Sequence, residues 1–122
     1  MRGVNKIFLL GRLGRDPELR TTATGRQFTD LRLATNRSVR KGEEWTEVAD
    51  WHQVRVWERT AELCVGRLSK GSPVAVEGQL RSDQWQNENG DKRSRTYVVG
   101  DRVHFLPYRP VQRALPAKEA KA

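Results

Sequence analysis

Trp45, Trp51 and Trp57 recur at steps of six residues, with Arg55 on the same parity. A β-strand brings such positions back to one face, because its side chains alternate with period two. A helix, at about 3.6 residues per turn, would scatter them around its cylinder. The opposite parity reads Val48, Asp50, His52, Val54 and Val56, mostly what a sheet buries. Residues 45–57 therefore predict a strand that gives its even positions to the core and turns flat aromatics and an arginine outward. An inverted parity would bury Trp51 and Trp57 instead. Outward rings spaced evenly beside cations call for a planar partner to stack on, and a nucleobase is the fitting one.

The rest of the chain narrows this reading. A length of 122 residues makes one domain with a real core. No twenty-residue apolar run offers a membrane span. The first residues lead straight into a strand pattern, so no cleaved signal segment is expected. The single cysteine cannot form an internal disulfide and fits a reducing cytoplasm. A net charge of +8 points to a polyanionic partner, nucleic acid or anionic lipid, or else to a plain well-solvated surface; charge alone leaves the two even, and the outward tryptophans favour nucleic acid.

Val4 to Leu13 reads as a first strand, ended by Gly14 and Asp16-Pro17, with Glu18 to Thr22 a short continuation. From Gln27 to Thr35 the alternation slips, Phe28 standing on one parity and Leu31, Leu33 and Thr35 on the other, which predicts a bulge. Arg40 to Glu44 reads as a charged loop, and Trp45 to Trp57 as the third strand. The period then changes. Ala61, Cys64, Val65 and Leu68 fall on one helix face, with Thr60 as the expected cap and Gly71 as the stop. Cys64 on that face reads as a small core hydrophobe rather than a nucleophile. Val74, Val76, Gly78 and Leu80 form the inward set of a fourth strand, leaving Trp85 on the opposite face with Gln79 and Arg81. Asn89-Gly90 marks a turn. Lys92 to Leu106 is the fifth strand, interrupted at Gly100-Asp101. Three strands, a short helix and two further strands predict an all-β chain with one short helix, a five-stranded OB-fold Greek-key barrel. The domain is expected over residues 1–108, with 109–122 a short basic, disordered tail.

Several segments together resemble the bacterial single-stranded DNA-binding proteins. These are Gly3-Val4-Asn5-Lys6, Gly11-Arg12-Leu13-Gly14, Asp16-Pro17-Glu18-Leu19-Arg20, Leu33-Ala34-Thr35-Asn36, Trp51-His52-Gln53-Val54, Lys70-Gly71-Ser72, Val76 to Arg81, and the closing Val103, Phe105 and Leu106. They follow in order over residues 2 to 106. The resemblance implies an OB-fold subunit of a homotetramer, in the bacterial cytoplasm at the nucleoid, that wraps single-stranded DNA during replication, recombination or repair. It places stacking aromatics at Trp51, Trp57 and Trp85, backbone-contacting cations at Arg2, Arg59 and Lys70, and a position near the subunit interface at His52. This chain departs from the family at Val39, where a stacking tryptophan is usual. Trp45 either compensates or covers the barrel edge. Asp83 and Gln84 also stand where basic residues are usual. The acidic, partner-recruiting tip of cellular members has no counterpart in Leu115 to Ala122, so recruitment of replication enzymes is not expected. A phage, plasmid or accessory copy would fit that ending.

The candidate site is thus Trp51, Trp57, Trp85 and Trp45 for base stacking. Arg2, Arg55, Arg59, Lys70, Arg81, Arg93 and Arg95 are the candidates for phosphates. Arg55 and Arg81 share the aromatic face, whereas Arg93 and Arg95 have a plain alternative role in solvating a hairpin arm. No catalytic residue, cofactor or metal is expected: one cysteine and two histidines are too few for a zinc site, and no second carboxylate joins Asp50 and His52. Two rival readings remain. A primosome-type OB-fold protein binding a helicase would usually lack most of the stacking tryptophans. A metal-dependent OB-fold nuclease would need clustered carboxylates. Stacking alone does not distinguish DNA from RNA.

Overall fold

The computed structural model describes residues 1–107, so the expected tail over 109–122 lies outside the described residues. The chain runs β1 (Ile7–Leu13), β2 (Arg20–Thr21), β3 (Gln27–Lys41), β4 (Glu44–Trp57), α1 (Glu58–Arg67), β5 (Pro73–Gln86) and β6 (Lys92–Phe105). The sheet order is β1-β5-β6-β4-β3, with the two-residue β2 added to the edge of β3, and β1 pairs again with β3. That second pairing closes a five-stranded barrel. Most pairings are antiparallel, while β4 meets β6 in parallel through Val54↔Val98 and Arg55↔Val99. This is the OB-fold that the order of elements predicts.

Closure depends on a sharp approach of backbones. β1 pairs with β5 through Gly11↔Val74 and with β3 through Arg12↔Ala34. A Cβ on Gly11 would collide with the carbonyl of Ala34, so only glycine lets β1 turn from one partner to the other here. Inside lie Leu13, Leu31, Leu33, Val54, Val56, Val74, Val76 and Val98, sealed by Ala61, Cys64 and Leu68. Fully burying a Val or Leu side chain contributes about 1.5–3 kcal/mol, so these inward positions hold the barrel. Burial also pushes the Cys64 thiol up to about 12, leaving it an uncharged core group.

Several local expectations are corrected. β1 begins at Ile7 rather than Val4. Upstream of it the Asn5 side chain substitutes for a strand rung: its Nδ2 donates to the Leu80 carbonyl (2.8 Å) and its Oδ1 accepts from the Leu80 N–H (2.9 Å). The bulge expected in β3 is absent, because β3 and β4 stay in one register from Phe28↔Trp57 to Lys41↔Glu44. Phe28 broke the alternation because it belongs to the outward face, opposite Trp57. The irregularity lies between β5 and β6, where Glu77 pairs with Arg102 but Gly78 pairs with Gly100, leaving Asp101 as the extra residue. This is where the fifth strand's alternation was interrupted.

The charged loop around Gly42 is only a tight turn, Gly42 having φ +63, between strands that run on past the barrel as a hairpin. β5 and β6 likewise leave the barrel as a ribbon, so Leu80, expected inside, is 45% exposed. Thr60 is not the helix cap. β4 passes directly into α1 through Trp57, with no side-chain cap, and Glu58 takes the left-handed φ of +53. From there Glu58 Oε1 accepts the Gln27 N–H (2.9 Å), tying the junction to the start of β3. The helix stops at Leu68, and Gly71 serves the following turn, its N–H bonded to the Leu13 carbonyl.

Candidate nucleic-acid interface

The unbroken register of β3 and β4 sets four pairs along one outward face: Phe28 opposite Trp57, Asp30 opposite Arg55, Arg32 opposite Gln53, and Ala34 opposite Trp51. Their inward neighbours Thr29, Leu31, Leu33, Val54 and Val56 are buried. Trp51 and Trp57, six residues apart on one strand, stand about 20 Å from one another. Trp51 is 47% exposed, and Trp57 is half-buried.

Each of these rings rests on a support from its own chain. The Trp51 indole lies against Gly14, where an added Cβ would stand 2.6 Å from Cη2, and Arg32 Cζ sits 4.6 Å from its ring centroid. Trp57 packs on Phe28 at 5.3 Å between centroids, with Arg26 Cζ at 4.1 Å. A cation over an indole is attracted by the ring's quadrupole and holds the ring in place. Neither Arg26 nor Arg32 is among the residues singled out from sequence. Their signal was present: Arg32 shares the outward parity, and Arg26 follows Gly25 in the turn before β3.

Between the tryptophans, Arg55 binds Asp30 with both ends of its guanidinium, Nε to Oδ1 at 2.8 Å and Nη2 to Oδ2 at 3.0 Å. The two side chains are only 15% and 19% exposed. Arg55 Cζ also lies 4.3 Å from the Phe28 centroid and 5.6 Å from that of Tyr97. The expected phosphate-seeking arginine is thus engaged in the floor of the face, with part of its donor set committed. Burial pushes the Asp30 carboxyl upward, but Arg55, with help from Gln53 and Arg95, outweighs this and holds it below the usual value.

Beside this pair opens a recess of about 440 Å³ whose lining includes Trp51, Arg32, Asp30, Gln53, Arg20 and Arg95. Arg95 arrives from the β5–β6 ribbon. Its Cζ is 5.1 Å from the Tyr97 ring, and its Nη2 reaches Asp83 Oδ2 at 3.4 Å. That exposed pair, between direct cross-strand partners of the ribbon, contributes little to stability. Further out, Trp85 is 46% exposed and pairs across the ribbon with Arg93, while Arg81 stands opposite Tyr97. Arg81 and Arg93 are exposed.

The remaining candidates lie apart from this cluster. Trp45, 66% exposed, is out on the β3–β4 hairpin opposite Arg40, whose Cζ is 5.9 Å from its ring. Arg2 precedes β1, Arg59 is in the first turn of α1, and Lys70 follows the helix; all three side chains are exposed. The Lys70 backbone N–H donates to Asp16 Oδ1 at 2.7 Å, which fixes its loop near the end of β1. His52 is half-buried, its Nε2 2.8 Å from Thr35 Oγ1.

The profile of the Single-strand binding protein family matches residues 4–106. Single-stranded DNA-binding protein 1 of Chlorobaculum tepidum is 38% identical over 107 residues, covering 86% of this chain and 66% of that relative. The chain therefore spans just under two thirds of that relative's length.

Proposed function

The chain belongs to the single-strand binding protein family, and on that premise we propose that it binds and protects single-stranded DNA by stacking bases on tryptophans and pairing phosphates with arginines. The observation that carries this reading is the outward face of β3 and β4, where Trp51 and Trp57 flank a polar centre and arginines converge from four strands, β2, β3, β4 and β6. Each stacked base is worth about 1–3 kcal/mol whatever its identity, so the face is broadly sequence-tolerant. Duplex DNA offers its phosphates but keeps its bases stacked on one another. Selectivity for single strands then comes from the rings, and the cations set overall affinity and its salt dependence. Trp85 and Trp45 extend the path along the two ribbons, with Arg81, Arg93 and Arg95 beside the first. Arg2, Arg59 and Lys70 serve a strand leaving the barrel.

The protein acts as a homotetramer in this reading, with roles in replication, recombination or repair. Phe8 and Leu10, 63% and 58% exposed on the outer face of β1, are the apolar surface that assembly would cover. His52 is the residue assigned near a subunit boundary. No step in this function is catalytic.

Titration with oligo-dT against a duplex of equal length, followed by tryptophan fluorescence at two salt concentrations, tests the proposal. Strong quenching by the single strand, weakened but kept at the higher salt, is the expected result. Equal and wholly salt-sensitive binding of both would leave only charge attraction and sink the stacking mechanism.

A further inference from the structure

The ring of Trp51 is not bare before a strand arrives, because one of the chain's own guanidinium groups stands over it. Resting on the stacking reading of this face, we propose that Arg32 caps Trp51 in the free protein and yields the ring to an incoming base, moving onto a phosphate of the same strand as it does so.

Arg32 pairs with Gln53 of β4, so it stands diagonally from Trp51 on the same outward face. Its Cζ, 4.6 Å from the ring centroid, occupies the layer that a stacked base would need. Base and guanidinium cannot hold that layer together. Gly14 crowds the six-membered ring at Cζ3 and Cη2, and the recess open to a ligand is lined by Trp51 and Arg32 together. A base entering there meets the side of the ring that Arg32 covers. Little else holds the cap. Among the described residues no hydrogen bond or ion pair engages the Arg32 guanidinium, whereas Arg55 is fixed by both oxygens of Asp30. A cation over an exposed indole contributes less than a stacked base, so the exchange runs toward the base. The released guanidinium keeps its charge and all its N–H donors for a phosphate. A duplex brings phosphates but no free base, so it would uncover the ring and put nothing back. The cap thereby sharpens the preference for single strands. Trp57 carries a similar cation, Arg26 at 4.1 Å, but is enclosed by Phe28 as well, so Trp51 gives the clearer test.

Arg32→Lys separates the two roles, because lysine keeps the charge but has no flat group to cover the ring. It should bind oligo-dT about two- to fivefold more tightly than wild type at every salt concentration, with the same log–log salt slope. Arg32→Ala also uncovers the ring but loses the phosphate contact. Its affinity relative to wild type should rise about fivefold for each tenfold increase in salt, so that it binds more weakly in low salt and more tightly in high salt. In a Trp51→Ala background, Arg32→Lys should change nothing, since no ring is left to cover. Thermal melting checks that each variant is folded. If Trp51→Ala weakens binding but Arg32→Lys binds no more tightly than wild type, the exchange alone is overturned; a gain that persists without Trp51 overturns it too. Oligo-dT affinity unaltered by Trp51→Ala would instead overturn the stacking reading at this ring, and the exchange with it.

Discussion

Trp51 lies so close over Gly14 that no side chain could stand at position 14 without moving the indole. Gly14 ends β1 and Trp51 belongs to β4, yet the turn after β1 is bound to β3 by the Gly14 N–H donating to the Arg32 carbonyl at 2.8 Å. The bare backbone at Gly14 is therefore a seat for the ring. Gly14→Val should tip Trp51 away and remove most of its stacking contribution, about 1–3 kcal/mol or roughly tenfold in affinity for oligo-dT. Quenching should fall by the share that Trp51 supplies, while duplex binding stays unchanged. Affinity and quenching equal to wild type would show that the seat is immaterial.

The two arginines over the rings yield a separate expectation. Arg32 and Arg26 hold Trp51 and Trp57 at 4.6 and 4.1 Å and are exposed enough to reach a phosphate as well. If each also neutralises one phosphate, Arg32→Ala and Arg26→Ala should each lower the log–log salt slope by about 0.7. Titrations at four or more salt concentrations measure this. Reduced affinity with an unaltered slope would assign both residues to ring support alone.

Much of this was legible in the sequence because two periodicities carried it. The inward Val54 and Val56 and the helix face of Ala61, Cys64 and Leu68 were assigned from spacing, and burial agrees. Phe28 misled because a strand pattern reads an apolar residue as core, whereas this one supports Trp57 from outside the barrel. Leu80 misled for a related reason: the alternation continues along β5 after the barrel beneath it has ended. Thr60 looked like a cap because nothing local reveals that β4 runs into α1 without a loop. Asp30 was missed altogether. Its meaning depends on the cross-strand pairing with Arg55, a contact across 25 positions that no window along the chain contains.

Assembly can be tested on the outer face of β1. Phe8 and Leu10 are largely exposed, so replacing them should cost an isolated subunit little, within about 0.5 kcal/mol. Phe8→Asp with Leu10→Asp should nevertheless break the proposed homotetramer into smaller species if this surface is covered in it. Sedimentation velocity at micromolar concentration reads the result. A wild-type protein that sediments as a monomer would remove the tetramer from the proposal, and a double variant of unchanged mass would move the interface elsewhere.

Cys64 links the core to alkaline pH. Its thiol is pushed up to about 12 by burial, whereas in an unfolded chain it titrates near 8.5. Between those values the folded state keeps a proton that the unfolded state has lost. Unfolding then releases a proton, and stability falls as pH rises by about 1.4 kcal/mol per unit. Lysines and tyrosines also titrate in this range, so the comparison must be with Cys64→Ala, which lacks the thiol alone. From pH 8.5 to 10 the wild type should lose about 1.5 kcal/mol relative to that variant, because the full slope is reached only above the unfolded thiol's own pKa, as measured from denaturant midpoints at each pH. The same burial predicts that a maleimide reacts slowly with the native protein and rapidly once denaturant unfolds it. Parallel alkaline losses in the two proteins, together with rapid native labelling, would mean that the helix opens readily and that Cys64 is not sealed beneath it.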